Sequence, residues 1–206
     1  MWRILVLALC LGLCACSGPA PVGFRNTDIS GSEIGDSLAA FKDQYGRATS
    51  LADFKGKAVV VFFGYTTCPD VCPTTLARLA EAMKRLGTEA EHVQVLMVTV
   101  DPEHDTPKKL GDYMAAFDPT FIGLIGDRPT TEAAAKAFKV FVATESAVTH
   151  EHGHEDSHQQ SAAPAQIDHS AASYVFDPTG RIRLYVKDDA SSDAITSDLK
   201  RLLSGA

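Results

Sequence analysis

Residues 58–65, AVVVFFGY, are the part of this chain that most constrains its fold. The run is nearly continuous in β-branched and aromatic residues, and such a run predicts a buried central strand. Residues 74–87 carry apolar side chains at helical spacing, and residues 92–101 return to a β-rich apolar run. A strand, a helix and a second strand in this order predict a βαβ unit.

Strands and helices continue to alternate along the rest of the chain. Before the first strand, residues 41–57 contain turn-forming residues between short β runs, which is the pattern of an edge hairpin. Further on, the DPTG sequence at residues 177–180 is a strong turn signal between two β runs. The sequence therefore predicts an α/β domain with a mixed central sheet flanked by helices. The further predicted elements are the hairpin at 41–57, helices at 106–117, 130–141 and 191–204, and strands at 121–126 and within 174–186.

Length and charge exclude some classes of function. A chain of 206 residues, 45% hydrophobic and 22% charged, has the composition of one globular domain with extensions. Its formal net charge is −7, and the sequence has no long cluster of lysine and arginine. Proteins that neutralise phosphates carry a basic face, so we expect no nucleic-acid partner.

The first residues have the pattern of an export signal. Arg3 supplies an early positive charge, and the apolar run that follows it to Leu13 is too short to span a bilayer comfortably. The run ends in LCAC, which resembles a bacterial lipobox with Cys16 as the acylated residue. We therefore predict a signal peptide at residues 1–15 and an exported protein that faces the periplasm, anchored to the membrane by lipid on Cys16. A plain signal peptide or an uncleaved anchor is the alternative.

Two segments differ in composition from the predicted domain, which we place at residues 36–206. Residues 16–35 are rich in glycine and serine without a sustained period, which predicts a tether. Residues 145–166 alternate histidine with acidic residues, which predicts a loop or disordered insert. Its histidines can chelate Cu(II) or Zn(II), or the segment is simply a solvated loop. These histidines are His150, His152, His154 and His158.

The only two cysteines after Cys16 are Cys68 and Cys72, in the sequence CPDVCP. Pro69 and Pro73 disfavour a regular helix through both cysteines, so we predict a tight turn with Pro73 near the first helical position. Cys72 would then lie beside the free N–H groups of the helix start, which lower the pKa of a thiol. Redox attack and metal binding both use the thiolate; a stapling disulfide or an inert thiol is the alternative.

The choice of metal follows from the ligands. Soft thiolates favour Cu(I), zinc or iron–sulfur clusters, and two cysteines are too few for a closed zinc site or a four-cysteine cluster. A third ligand suits copper. His169, in a predicted loop just before a strand, is the natural candidate.

The segment VDPEHDTP raises a second possible site. Asp101 follows a predicted central strand, where α/β sheets often present functional groups. The simpler interpretation is turn and cap chemistry, with Asp105 or Thr106 capping the helix that begins at Pro107. We expect His104 to be exposed.

Four segments resemble the Sco (SenC/PrrC) family of copper-binding, cytochrome oxidase assembly proteins. They are FFGYTTCPDVCPTTL, VTVDPEHDTPKKL, FDPTFIGLIG and DHSAASYVFDPTGRIR, and the similarity runs over about residues 41–203. The resemblance implies a thioredoxin-like fold in which Cys68, Cys72 and His169 bind copper, as Cu(I) or Cu(II). Asp168 would then be a neighbour that orients the imidazole, and Asp70 a tuning charge or a solvated turn residue.

Two functions are compatible with this site. The first is a metallochaperone, not an enzyme, that delivers copper to the dinuclear copper A centre in the copper-bearing subunit of cytochrome c oxidase. The second is a periplasmic thiol-disulfide reductase that acts on the cysteines of the oxidase or on other copper-site thiols. It would use Cys68 and Cys72 as a redox pair and be recharged by a periplasmic thioredoxin-like reductant. Thioredoxin-type enzymes typically have two residues between the cysteines, whereas this chain has three and offers His169. The functions can coexist, because a disulfide cannot bind copper.

Overall fold

The computed structural model describes residues 23–34, 38–144, 167–169 and 172–205. Their helices are α1 (Val71–Leu86), α2 (Pro107–Ala115), α3 (Arg128–Ala137) and α4 (Ser192–Leu203). Their strands are β1 (Thr27–Asp28), β2 (Phe41–Asp43), β3 (Ala48–Thr49), β4 (Ala58–Gly64), β5 (Val93–Thr99), β6 (Ile122–Ile125), β7 (Val142–Thr144), β8 (Ile167–His169), β9 (Ser173–Phe176) and β10 (Ile182–Val186).

Eight strands form one mixed sheet in the order β1-β10-β9-β4-β5-β6-β2-β3. The pairs β4–β5 and β5–β6 are parallel, and the other pairs are antiparallel. Every residue of β4 is buried, as predicted for a central strand, and β2 and β3 form the predicted edge hairpin. The prediction of an α/β domain with a mixed central sheet is therefore confirmed.

The two faces of the sheet are covered by different elements. Successive strand residues point to opposite faces, so Phe62 and Phe63 face opposite sides. Phe63 packs against Phe138, which follows α3, with the ring centroids 5.0 Å apart. Gly64 faces the same side as Phe62, and a Cβ on Gly64 would lie 3.0 Å from the sulfur of Cys72 in α1. Helix α1 therefore covers this second face. Helix α4 packs beside α1.

The helix starts have local causes. The hydroxyl of Thr106 accepts a hydrogen bond from the backbone N–H of Lys109 and caps α2, and Ser191 caps α4 in the same way. Helix α1 begins at Val71, three residues earlier than predicted. Pro73 is compatible with this start, because the N–H groups of the first turn have no intrahelical partner.

The folded domain begins earlier than the predicted boundary near residue 36. Strand β1 pairs with β10, and the backbone N–H groups of Arg25 and Asn26 each donate to the carboxylate of Asp198 at 2.8 Å. The near end of the predicted tether is therefore part of the domain. A two-residue strand has no periodicity that the sequence could reveal. The signal peptide, Cys16 and residues 17–22 lie outside the described residues.

Strands β7 and β8 form a separate antiparallel ribbon in which Val142 is opposite His169 and Thr144 is opposite Ile167. His169 therefore lies in a short strand rather than in the predicted loop. The His-rich insert at 145–166 connects these strands and lies outside the described residues. None of the helices in the described part of the chain is both long and apolar enough to cross a membrane.

Candidate metal site at the cysteine turn

The cysteine turn, which we define as residues 65–72, follows the carboxyl end of β4. The backbone N–H of Cys68 donates to the carbonyl of Tyr65 at 3.3 Å, and α1 starts at Val71. The neighbouring parallel strand ends at the same edge, where the N–H of Val100 donates to the carbonyl of Gly64 at 2.9 Å. The carboxyl edge of parallel strands is where α/β folds commonly place functional groups.

The two cysteines are not joined in a disulfide, and they differ in exposure. Cys68 is half-buried, whereas Cys72 has 0% of its surface exposed. The backbone N–H of Cys72 donates to the sulfur of Cys68, with 3.4 Å between nitrogen and sulfur. This N–H belongs to the first turn of α1, so the start of the helix is directed at the sulfur of Cys68.

The predicted lowering of the pKa of Cys72 is wrong. Burial raises the pKa of the Cys72 thiol, and a hydrogen bond with Cys68 raises it further. The sulfur points into the core at β4, where Gly64 leaves room that a Cβ would fill. The sequence placed Cys72 near the helix start correctly but could not show that its side chain turns inward.

Asp105 connects the cysteine turn to the neighbouring strand, and its side chain is fully buried. Its carboxylate accepts hydrogen bonds from the backbone N–H of Thr66 at 3.1 Å, from the hydroxyl of Thr66, and from the hydroxyl of Thr99 at 2.6 Å. Thr99 is the last residue of β5, and Thr66 lies two residues before Cys68. The ammonium of Lys109 is 3.8 Å from the carboxylate.

Tyr113 adds a polar group to the same environment. Its hydroxyl oxygen is buried and has no hydrogen-bond partner among the described residues. Burial raises the pKa of Tyr113, and the charges of Cys72, Cys68 and Asp105 raise it further.

The rest of the VDPEHDTP segment has the predicted turn and cap chemistry. Thr106, not Asp105, caps α2. His104 is exposed, as expected, and its Nδ1 lies 2.8 Å from a carboxylate oxygen of Asp101. This hydrogen bond raises the pKa of His104. Asp101 is engaged in its own turn, where its N–H donates to the hydroxyl of Thr99.

Strand β9 is antiparallel to β4, so its first residue lies near the edge of the sheet that carries the cysteine turn. Ser173, the first residue of β9, is opposite Phe62 near the carboxyl end of β4, and His169 is four residues before it. The side chains of His169 and Asp168 lie outside the described ones, so their roles stay predictions. Asp70 is exposed, and its carboxylate accepts a hydrogen bond from Thr74 at 3.4 Å, which fits a solvated turn residue.

The metal-binding side chains that the structure describes at this turn are the thiols of Cys68 and Cys72, which suit a soft ion. No group of three histidine, cysteine or acidic side chains forms a metal cluster among the residues that the structure describes. The thiols of Cys68 and Cys72 are soft ligands, which favour copper over Mg²⁺ or Ca²⁺. They need a further ligand from elsewhere, and the His169 segment approaches the same edge of the sheet.

Thr66, Thr99 and Tyr113 were not predicted from the sequence as residues of this site. The signal that could have indicated them is the position of Thr66 and Thr99 at the ends of two predicted neighbouring strands. Polar groups at such ends meet at one edge of a parallel sheet.

Comparison with known proteins identifies relatives over most of the chain. The SCO1/SenC family model matches residues 33–204. The SCO2-like protein of Rickettsia felis is 32% identical over 158 residues, which cover 77% of this chain and 72% of the relative. The mitochondrial SCO2 homologs of Bos taurus and Homo sapiens are 30% and 32% identical over 86% of this chain, and this chain spans 63% of their length.

Solved structures of Sco proteins also match most of this chain. ScoI of Bradyrhizobium japonicum, determined with copper bound, has 31% identity and a TM-score of 0.65, with 79% of this chain and 95% of that chain covered. BsSco, a member of the Sco family of cytochrome c oxidase assembly proteins in which a disulfide switch was identified, has 25% identity and a TM-score of 0.65 over 88% of this chain and 98% of that one. These matches confirm the predicted thioredoxin-like fold.

Proposed function

The chain belongs to the SCO1/SenC family, and from this premise we propose that it is a copper chaperone for the assembly of cytochrome c oxidase. It would accept copper outside the cytoplasm and pass it to the dinuclear copper A centre in the copper-bearing subunit of the oxidase. The observation that carries the proposal is the pair of cysteine thiols, Cys68 and Cys72, that lie at one edge of the sheet without a disulfide between them. The copper-bound structure of a relative with 31% identity supports the choice of metal.

The proposed ligands are the thiolates of Cys68 and Cys72 and the imidazole of His169. Two soft sulfurs favour Cu(I), and an added imidazole suits Cu(II) as well. The backbone of His169 supports its part in the set, because β8 ends four residues before the start of β9 beside β4. Asp168 is the proposed neighbour that orients the ring.

The geometry of the turn suits metal transfer. Cys68 is half-buried, so an incoming ligand of a partner can reach the metal on that side. A site with few protein ligands releases its ion by stepwise exchange, in which each partner ligand replaces one ligand of the chaperone. Cys72 is fully buried and would be the last sulfur to be replaced.

The proposed location is the periplasmic side of a membrane. The LCAC sequence supports removal of a signal peptide and acylation of Cys16. The lipid would hold the domain at the membrane, where an integral oxidase subunit is within reach.

The test is anaerobic copper titration of the reduced full-length protein, purified in detergent. We expect one tightly bound copper per chain. Cys68→Ser and Cys72→Ser should each abolish the tight site, because one thiolate and one imidazole hold copper poorly. Cys16→Ser is the matched control: it should retain the tight copper but shift the protein away from the membrane fraction. Tight binding in either Cys68→Ser or Cys72→Ser would contradict the proposal.

A second candidate function is thiol-disulfide exchange with the cysteines of the oxidase. The unequal exposure of the two cysteines favours it, and a disulfide switch is known in BsSco. The Cys68 thiolate would attack a partner disulfide and form a mixed disulfide. The Cys72 thiolate would then attack the Cys68 sulfur, which releases the partner as a dithiol and leaves a Cys68–Cys72 disulfide. A thioredoxin-like reductant would restore the dithiol.

A further inference from the structure

We infer that residues 24–28, which we call the docked segment, hold the lipid tether at the edge of the sheet opposite the cysteine turn, so that the proposed copper site faces away from the membrane. The inference rests on the proposed function, including the lipid on Cys16. It concerns how the site is presented to the protein that receives the copper.

Hydrogen bonds attach the docked segment to two elements of the domain. Strand β1, which forms its end, pairs with β10 at one side of the sheet. The carboxylate of Asp198, a buried residue of α4, accepts the backbone N–H groups of Arg25 and Asn26 and the side-chain amide of Asn26, each at 2.8 Å. Hydrogen bonds to a charged acceptor are stronger than those between neutral groups, so the segment is held firmly.

Phe24 lies where the docked segment continues into the rest of the predicted tether. Its ring contacts the guanidinium groups of Arg183 and Arg201, each 5.3 Å from the ring centroid. Arg183 is the second residue of β10, and Arg201 lies in the last turn of α4. Cation–π contacts of this kind are attractive, so Phe24 is fixed beside the start of the strand and the end of the helix.

The start of β10 is at the opposite edge of the sheet from the cysteine turn. Strands β10 and β4 run in the same direction, because each is antiparallel to β9. A separate contact gives the same result: the N–H of Gly56, two residues before β4, donates to the carbonyl of Pro178 in the turn before β10, at 2.9 Å. The cysteine turn follows the other end of β4, and a strand of seven residues spans about 20 Å.

The tether is short compared with this separation. Eight residue steps separate Cys16 from Phe24, and a flexible chain of that length has an average reach of about 16 Å. The lipid therefore holds the edge at Phe24 nearer to the bilayer than the cysteine turn. Without the docked segment the tether would continue to Ile29, and its full extension of about 45 Å would let either edge contact the membrane.

This orientation indicates the kind of partner that fits. Cys68, the more exposed of the two cysteines, would face the aqueous phase rather than the lipid headgroups. The recipient must then carry its metal-binding groups on a domain that projects from the bilayer, because groups at the membrane surface would meet the opposite edge of the chaperone.

The experiment measures how close each edge of the domain is to the bilayer. The acylated full-length protein, purified in detergent, is reconstituted in phosphatidylcholine vesicles that contain a lipid with chelated gadolinium on its headgroup. A nitroxide side chain replaces Lys55, an exposed residue next to Gly56, or, in a second protein, Glu103, an exposed residue after β5 at the edge of the cysteine turn. Gadolinium speeds the relaxation of a nearby nitroxide, and we expect several-fold faster relaxation at residue 55 than at residue 103.

Asp198→Ala removes the acceptor that holds the docked segment. It should reduce the difference between the two labels, while tight copper binding is retained. Asp43→Ala is the matched control, because Asp43 is also 2% exposed and accepts backbone N–H groups, from Tyr45 and Arg47, in the hairpin at the other side of the sheet. This control should leave the difference between the labels unchanged.

Equal relaxation at the two labels, or faster relaxation at residue 103, would overturn the inference. An unchanged difference in a folded Asp198→Ala protein would also overturn it, because the docked segment would then not set the orientation. If Asp198→Ala does not fold, the two labels in the otherwise unmodified protein decide alone. An unmodified Cys16 in mass spectrometry, or absence of tight copper, would instead contradict the proposed function.

Discussion

Asp105 and Asp177 are both buried aspartates that accept several hydrogen bonds, but their donors come from different places. The donors to Asp177 belong to its own hairpin turn: the backbone N–H groups of Thr179 and Arg181, at 2.9 and 3.1 Å, and the hydroxyl of Thr179 at 2.6 Å. The donors to Asp105 come from the ends of two parallel strands. One carboxylate closes a local turn, and the other joins distant parts of the chain.

The two sites also differ in charge. The guanidinium groups of Arg181 and Arg183 lie 3.0 and 3.4 Å from the Asp177 carboxylate. Burial alone would raise the pKa of Asp177, but the hydrogen bonds from Thr179 and Arg181 outweigh it and lower the pKa to about 2. Asp105 has no guanidinium in ion-pair range among the described residues. The Asp177 carboxylate is paired with two arginines of its own hairpin, whereas the Asp105 carboxylate joins Thr66 of the cysteine turn to Thr99 at the end of β5.

The largest expected change in the free energy of unfolding comes from Gly64, at the end of β4 beside the cysteine turn. Gly180, in the turn of Asp177, provides the comparison. Gly64→Ala places a Cβ 2.6 Å from the ring of Phe62 and 3.0 Å from the sulfur of Cys72. We expect it to lower the free energy of unfolding by about 2–3 kcal/mol and to weaken copper binding, because a packed core resists an added methyl group. Gly180→Ala strains only the turn, where φ is +84°, and should remove about 1 kcal/mol without an effect on copper. Urea unfolding and copper titration measure both; a weakened copper site in Gly180→Ala would contradict the separation.

Asp177→Asn should lower the free energy of unfolding by about 2 kcal/mol at pH 7, because the folded state no longer holds an anion with a lowered pKa. Copper affinity should not change. The measurement is chemical denaturation of the metal-free protein with and without the substitution. A loss below about 0.5 kcal/mol would show that Asp177 has no special part in stability.

The same turn predicts a pH dependence. The pKa of Asp177 is lowered from 3.8 to about 2 on folding, so its contribution to stability is fully present above pH 3.8. That contribution is lost as the pH falls through about 2, up to the same 2 kcal/mol. The stability difference between the unmodified protein and Asp177→Asn should therefore shrink over this range. A difference that stays constant between pH 5 and pH 2 would contradict the lowered pKa.

The smallest expected change in the free energy of unfolding comes from the removal of one threonine hydroxyl, either at Thr66 or at Thr179. Thr66 and Thr179 each donate a hydroxyl hydrogen bond to a buried aspartate. Valine at either position should remove about 1 kcal/mol from the free energy of unfolding. Thr66→Val should also weaken copper, because the cysteine turn loses one attachment, whereas Thr179→Val should not. Equal copper affinities in the two variants would show that this hydroxyl does not position the turn.

The elements of the fold could be predicted because their signals are local. The run of β4 is apolar throughout, and the turn before β10 carries Asp177 and Gly180 in a recognisable order. The strand β1 could not be predicted, since two residues have no period and its attachment depends on Asp198, far along the chain. The early start of α1 was hidden by Pro73, which the first turn tolerates.

The sequence predicted the kind of chemistry at the site, a pair of thiols, but not the burial or the contacts of its residues. CPDVCP indicated a thiol site, but the burial of Cys72 depends on the space that Gly64 leaves beside Phe62. The role of Asp105 depends on Thr66, from which it is separated by 39 residues, and no local pattern reports such a contact. The resemblance to a family contributed the role of His169, and its backbone position agrees with that prediction without testing it.

His169→Ala is the sharpest test of the proposal that Cys68, Cys72 and His169 hold copper for delivery to the oxidase. This change removes the imidazole and leaves the cysteine pair, so copper delivery should fail while disulfide exchange persists. The decisive measurement is the assembly of active oxidase in a strain that contains His169→Ala at normal protein level, with reduction of a model disulfide by the purified protein as control. We expect loss of oxidase assembly with unchanged disulfide reduction. Normal oxidase assembly by a variant that no longer binds copper would contradict the proposal.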